Sequence, residues 1–183
     1  MVKAGDRAKD FALLSPNGEK KLSDAKGKYA VVYFYPRDNT PGCTREAQAF
    51  SQAAKAFAKA GAVVYGISKD SVESHAKFAA GYKLAFDLLS DPSLATHKAY
   101  GAYGEKTMYG KKVLGTIRST FIVDPKGTVA RVFPSVKVDG HAEAVLAAIE
   151  ELRGGAPAKS AKKAATASTK KPAPRASKAK AKR

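Results

Sequence analysis

Two short runs, Tyr29 to Tyr35 (YAVVYFY) and Ala62 to Ile67 (AVVYGI), are aromatic or β-branched without polar alternation, the pattern of strands covered on both faces. Between them Ala47, Phe50, Ala54, Phe57 and Ala58 recur at helical spacing while Arg45, Gln48, Gln52, Lys55 and Lys59 take the other faces, and Gly61 closes the segment. Strand, helix, strand in that order predicts a βαβ unit with parallel strands. A second helix follows over about 71–82, then a strand near 85–89 and a short helix over about 92–100. IRSTFIVDPKGTVARVF reads as a hairpin turning at Asp124 to Gly127, and DFALLSPNGEKKL as another around Pro16, Asn17 and Gly18. A last amphipathic helix covers His141 to Leu152. The elements sum to an α/β sandwich with a mixed sheet, parallel in the middle and antiparallel at one side.

The alternation of elements stops at Gly154-Gly155. The 183 residues carry a net charge of +17, but residues 154–183 hold ten Lys or Arg and no acid, which leaves 23 cations against 16 acids, or +7, for residues 1–153. The last segment is almost wholly Ala, Lys, Pro, Ser and Thr, too poor in apolar surface to offset its ordering entropy, so a single folded domain over 1–153 and a disordered tail over 154–183 are expected. In composition the tail resembles those of linker histones. Its Lys162, Lys163, Lys170, Lys171, Arg175, Lys178, Lys180, Lys182 and Arg183 could displace counterions from nonspecific DNA. A solubilising tail and a targeting address are the competing readings.

Several classes of function fall away. One cysteine excludes an internal disulfide, and the N-terminus lacks the apolar stretch of a secretory signal, so the chain is expected to be intracellular. That means the cytoplasm, in association with the nucleoid if the tail binds DNA, or the nucleus in a eukaryote. No run approaches the roughly 18 to 20 apolar residues of a membrane span. His75, His97 and His141 have no metal-ligand spacing and read as surface or partly buried helix residues. No phosphate loop or dinucleotide fingerprint is present, so neither metal nor organic cofactor is expected.

The cysteine stands in PRDNTPGCTREAQAF, residues 36–50. Thr40 is a favoured N-cap, Pro41 suits the first helical position, and Cys43 falls third, where a capping box would carry Glu or Gln. A thiol thus occupies the seat of an anion, where first-turn amides and the positive end of the helix dipole favour thiolate, the nucleophilic form. Pro36 kinks the chain on leaving the strand, and Gly42 lets backbone approach the sulfur without side-chain obstruction. The position lies at the carboxyl end of a parallel strand, where open α/β sheets bind ligands. A buried structural thiol is the competing reading, but such a cysteine belongs in an apolar run, not in a polar turn.

With these residues in place, Pro36-x-x-x-Thr40-x-x-Cys43 resembles the active-site signature of the peroxiredoxins. FYPRDNTPGCTREAQAF, with GISKDSVESHAKF, FDLLSD and IRSTFIVDPKG after it, is similar to the PrxQ or bacterioferritin-comigratory-protein branch over about residues 3–152. The resemblance implies a thioredoxin-like fold and a monomer. It makes Cys43 the peroxidatic cysteine, Thr40 the holder of peroxide and thiolate, Pro36 the shield against water, Arg118 the cation at the reacting centre, and Glu46 the residue that orients Arg118. The implied activity is a thiol-dependent peroxidase that reduces hydrogen peroxide and organic hydroperoxides through a sulfenic acid. Many PrxQ members carry a resolving cysteine five residues after the first; here that position is Gln48. The expected cycle is therefore a one-cysteine one, closed by an external thiol such as thioredoxin, a glutaredoxin or glutathione. The alternative is a nonspecific DNA-binding protein that works through its tail, with peroxidase activity weak or lost.

Overall fold

The computed structural model describes residues 1–108 and 110–154; the expected disordered tail, with its candidate DNA-binding cations, lies outside the described residues from Gly155 onward. The first run predicted as a strand forms β3 (Tyr29–Phe34) and the second β4 (Ala62–Ser68), paired in parallel from Tyr29 opposite Ala62 to Phe34 opposite Ile67. A third parallel strand, β5 (Asp87–Ser90), borders β4. On the other side of β3 stands the C-terminal hairpin, β8 (Ser119–Val123) and β9 (Val129–Phe133), and outside β5 the N-terminal one, β1 (Ala12–Ser15) and β2 (Gly18–Lys21). The order of the seven-stranded sheet is β2-β1-β5-β4-β3-β8-β9. Its middle is parallel as predicted, but antiparallel hairpins stand at both edges, not at one. The docking of β1 on β5 rests on a single register pair, Leu14 opposite Ser90, a pairing that local pattern does not encode.

The even and odd residues of β3 feed two cores, as strand geometry requires. Val31, Tyr33 and Tyr35 pack with Phe50, Phe57, Phe78 and Val145 on one face; Ala30, Val32 and Phe34 pack with Tyr65, Ile67, Tyr100 and Phe121 on the other. Tyr33 lies across Gly66, its strand partner: a Cβ there would sit 2.7 Å from the tyrosine hydroxyl oxygen, so only glycine lets the ring cross β4. The ring then stacks on Phe50 at 4.7 Å between centroids, which seats the helix after β3.

That helix is two, α1 (Pro41–Gln52) and α2 (Ala54–Lys59), broken at Ala53. The sequence there, FSQAAKAF, holds no Gly or Pro, so the break carries no local signal. The helices α3 (Val72–Tyr82), α4 (Ala95–Tyr100) and α5 (His141–Arg153) complete the two covering layers. A hairpin absent from the sequence reading, β6 (Tyr103–Met108) with β7 (Lys111–Thr116), forms a separate two-stranded sheet. Lys111 to Leu114 are exposed on both faces, so the hairpin has no buried stripe to betray it. No helix among the described residues is long and apolar enough to cross a membrane.

Candidate active site

Thr40 closes the loop after β3 in an extended conformation (φ −91°, ψ 148°) and Pro41 opens α1, so the helix starts where the residues predict. The Thr40 side chain, however, makes no cap. Its hydroxyl donates backwards to the Arg37 carbonyl at 3.1 Å, while its own carbonyl accepts the Thr44 amide at 2.9 Å. A hydroxyl has one proton, and with that proton on Arg37 the Thr40 oxygen is left as an acceptor.

Cys43 occupies the first turn of α1 and is 2% exposed, packed in the core cluster that holds Tyr33 and Phe50. Burial, the mark of a structural thiol, here coexists with a charged partner. Nη2 of Arg118, in the turn between β7 and β8, donates to the Cys43 Sγ at 3.1 Å. The other guanidinium nitrogen, Nη1, donates to Oε2 of Glu46, one turn along α1 and 1% exposed. Arg118 therefore forks between sulfur and carboxylate, a geometry that a planar guanidinium supplies and an ammonium does not. Burial opposes its charge, but Glu46 and Cys43 outweigh burial and keep it firmly protonated. Glu46 fares differently: burial pushes its carboxyl up to about 7 against the pull of Arg118, and Oε1 has no partner among the described residues.

Of the residues singled out by sequence, Cys43, Glu46 and Arg118 are joined by the guanidinium, while Thr40, three residues before the sulfur, has its hydroxyl on the Arg37 carbonyl. Pro36 lines a groove of about 280 Å³ with Arg37, Lys69, Leu94, Lys106, Leu114 and Thr116 among others, and Thr40, Cys43, Glu46 and Arg118 are not part of that lining. A second cavity, of about 260 Å³ at the opposite end of β3 beside Lys28 and Ala30, contains none of the site residues. Gly42 corrects the expectation placed on it. A Cβ there would meet Arg118 Nη2 at 3.6 Å and Val138 Cγ2 at 4.0 Å, ordinary contacts, so no close approach demands glycine.

The histidines correct another expectation, because all three are buried. His75 and His97 are fully enclosed, each with Nδ1 on an aspartate, Asp38 at 2.8 Å and Asp91 at 2.7 Å. Nε2 of His141 pairs with the Thr120 hydroxyl at 2.8 Å, and burial together with the Arg118 charge lowers its pKa to about 4. Among the described residues no cluster of His, Cys, Asp or Glu could hold a metal. Sequence reasoning also missed Lys106, whose Nζ donates to the Thr116 carbonyl at 2.9 Å; burial and the Arg118 charge lower its pKa, with Cys43 pulling the other way. It sits on the missed hairpin. In chemical terms the structure joins a buried thiol and a buried carboxylate through one protonated guanidinium, with a hydroxyl three residues before the thiol whose proton is already engaged.

Comparison with known proteins fits this geometry. The AhpC/TSA family model matches residues 4–132. Peroxiredoxin Bcp of Xanthomonas campestris is 47% identical over 137 residues, covering 75% of this chain and 86% of its own length. Peroxiredoxin Bcp of Bacillus subtilis is 40% identical over 152 residues, covering 82% and 97%. Among solved structures, one of the X. campestris bacterioferritin comigratory protein, described for alkyl peroxide reduction, superposes with a TM-score of 0.74 at 45% identity, covering 78% of this chain and 91% of that one. A cysteine-to-serine mutant of Xylella fastidiosa PrxQ gives a TM-score of 0.77 at 38% identity over 85% and 98%. The fold is thus the thioredoxin-like one, a mixed sheet with flanking helices.

Proposed function

The chain belongs to the AhpC/TSA family, in the peroxiredoxin Bcp/PrxQ branch, and on that premise we propose that it is a thiol-dependent peroxidase acting on hydrogen peroxide and organic hydroperoxides. The observation that carries this reading is the 3.1 Å donor from Arg118 to the Cys43 sulfur, three residues after a Thr40 whose hydroxyl is already engaged with Arg37. The Cys43 thiolate attacks the terminal oxygen of the hydroperoxide. The O–O bond breaks, its electron pair leaves on the distal oxygen, and that oxygen takes up a proton and departs as water or alcohol. Sulfur keeps the attacked oxygen as sulfenic acid.

Thr40, an acceptor, receives the substrate O–H and aims the terminal oxygen at sulfur. Arg118 balances the charge that spreads from sulfur to the departing oxygen, the preorganised stabilisation that usually dominates such steps. Glu46 holds the other edge of the guanidinium, and Pro36 walls the entrance.

Gln48 stands where a resolving cysteine would be, and the sequence contains no other cysteine. The sulfenic acid therefore condenses with an external thiol, releasing water and forming a mixed disulfide that a second thiol reduces. Thioredoxin, a glutaredoxin and glutathione are the candidate reductants. Intact-mass analysis after one equivalent of peroxide is expected to show one added oxygen, or a mixed disulfide when thiol is present. An unoxidised Cys43, with Cys43→Ser as active as the wild type, would overturn the reading.

The ten cations of residues 154–183, unopposed by any acid, favour a second activity: a tether to DNA that places peroxide removal beside an oxidisable polymer. If six to ten phosphates were engaged, affinity would fall about 10³–10⁵-fold between 50 and 200 mM salt. A chain ending at Arg153 that binds duplex DNA as tightly as the full one would remove the tail from this role. A DNA-binding protein with its chemistry lost is the weaker account, since Cys43 and Arg118 keep a working distance.

A further inference from the structure

The loop that delivers Thr40 rests on a buried carboxylate to which the reaction above assigns nothing. Asp38 is 5% exposed, yet its side chain is fully engaged. Oδ1 accepts the Tyr35 hydroxyl at 2.7 Å; Oδ2 accepts the Ser74 hydroxyl at 2.7 Å and faces His75 Nδ1 at 2.8 Å. An ionised carboxylate only accepts, so Nδ1 carries the proton. The Asp38 amide in turn donates to Asp70 Oδ2 at 2.8 Å, and Asp70 is held by the Ser68 hydroxyl at 2.7 Å. Burial works against ionisation of Asp38, but the bonds from His75, Tyr35 and Ser74 outweigh it and hold its pKa below the ordinary value. The next residue, Asn39, takes a left-handed conformation, φ 57°. A loop fastened from both sides of a peptide plane and strained at the following residue is held in one shape.

What that shape holds is the carbonyl one residue before Asp38. Arg37 O is the group that takes the Thr40 hydroxyl proton, and the Arg37–Asp38 peptide cannot turn without breaking the Asp38 amide bond to Asp70 or the side-chain bonds to α3. We propose that Asp38 and His75 are positioning residues of the peroxidase site: they fix the Arg37 carbonyl so that Thr40 is presented to the hydroperoxide as an acceptor. The inference rests on the reading of Cys43 as the peroxide-reactive thiol. His75 reaches the site from α3, 37 positions away, and ties a second element to the geometry of the first. The similar pair Asp91–His97 is the structural counterpart. There the carboxylate accepts the amides of Ala95 and His97 at the start of α4, and no site residue hangs on it.

Because the clamp acts through Thr40, its loss should be felt by peroxide and not by a reagent that ignores Thr40. The second-order rate of Cys43 oxidation by hydrogen peroxide is compared with its rate of alkylation by iodoacetamide, in the full chain. Asp38→Asn places an amide N–H against the donors of its neighbours, and His75→Phe removes one of them. Either is expected to slow oxidation by roughly 10- to 100-fold, the scale of a misplaced catalytic contact, while alkylation changes by less than about twofold. His75→Asn, which keeps a donor near the Nδ1 position, is expected to recover most of the rate. Ser74→Ala removes a single bond without a buried clash, so the test survives misfolding of the harsher variants; a drop of a few fold, in oxidation only, is expected.

In a Thr40→Val background the Asp38→Asn and Ser74→Ala changes should cost little more. Equal losses in oxidation and alkylation, no loss in either, or full additivity with Thr40→Val would each overturn the clamp. A wild-type chain whose Cys43 is not oxidised at all would instead overturn the peroxidase reading.

Discussion

Two buried carboxylates flank Cys43, and their surroundings drive them in opposite directions. Asp38, below the loop, has three side-chain donors and is held ionised beneath its ordinary pKa. Glu46, on α1, has a full positive charge against one oxygen and no partner among the described residues on the other, and burial carries it up to about 7. The difference follows from burial against bonding: three side-chain donors, with the pull of His75, overcome the burial of Asp38, whereas one guanidinium bond does not overcome the deeper burial of Glu46. It also separates their surroundings: Asp38 is an anion fastened within the loop before α1, while Glu46 sits near a titration point beside the guanidinium that reaches the Cys43 sulfur.

The harshest way to break the contrast is to remove the group that serves both sulfur and Glu46. Arg118→Met should lower the rate of peroxide attack on Cys43 by about 10²–10³-fold, the effect of losing one preorganised donor at a developing charge. Stopped-flow oxidation followed by mass analysis measures it. A loss below tenfold would mean that the guanidinium is an ornament of the fold and that Asp38, through Thr40, carries the site.

Glu46→Gln sharpens the comparison with a smaller effect and a pH signature. The folded pKa, about 7, lies above the ordinary value of 4.5. Its contribution to stability is therefore fully present below about pH 4.5 and is lost as pH rises through 7, because only the folded chain holds the proton in that window. Asp38 has the reverse sign: its contribution is present above the ordinary carboxylate value and is lost as pH falls through the depressed one. The Gln variant, neutral throughout, should gain stability relative to the wild type between pH 5 and 8, as read from urea midpoints at the two pH values. In the same variant the peroxide rate should fall about tenfold at pH 8, the lower end of the general range for such positioning. The ratio to wild type should close towards one at pH 6, where Glu46 is itself neutral. A ratio that does not change with pH would remove Glu46 titration from the reaction.

How much of this was legible depended on sequence distance. Pro36, Thr40 and Cys43 lie within one turn-and-helix start, so capping chemistry alone placed the thiol at a helix N-terminus. Arg118 is 75 residues from Cys43, and only the family resemblance joined them. Asp38 and His75 remained out of reach for a different reason. An aspartate in a polar loop reads as solvated and a helix histidine as a surface group, and it takes the tertiary contact to turn both into buried partners. The parallel centre of the sheet was readable because strands covered on both faces are apolar throughout. The docking of the β1–β2 hairpin on β5 and the exposed β6–β7 hairpin were not, since neither leaves a one-sided stripe.

The smallest expected effect falls on Gly42, which stands between the two carboxylates in sequence and was expected to clear the way to sulfur. The structure gives an added methyl ordinary contacts, 3.6 Å from Arg118 Nη2 and 4.0 Å from Val138. Gly42 lies inside α1 with no positive φ, where alanine reduces the freedom of the unfolded chain and suits a helix better by roughly 0.5–1 kcal/mol. Gly42→Ala should thus raise the thermal midpoint slightly and leave peroxide attack within about twofold of wild type, because nothing that orients Arg118 or Thr40 depends on the missing Cβ. A loss above tenfold with the midpoint still raised would show that the substrate itself occupies that space. The hydroperoxide would then pass over the first turn of α1, and the approach to sulfur would be set from the Glu46 side, not from the loop clamped by Asp38.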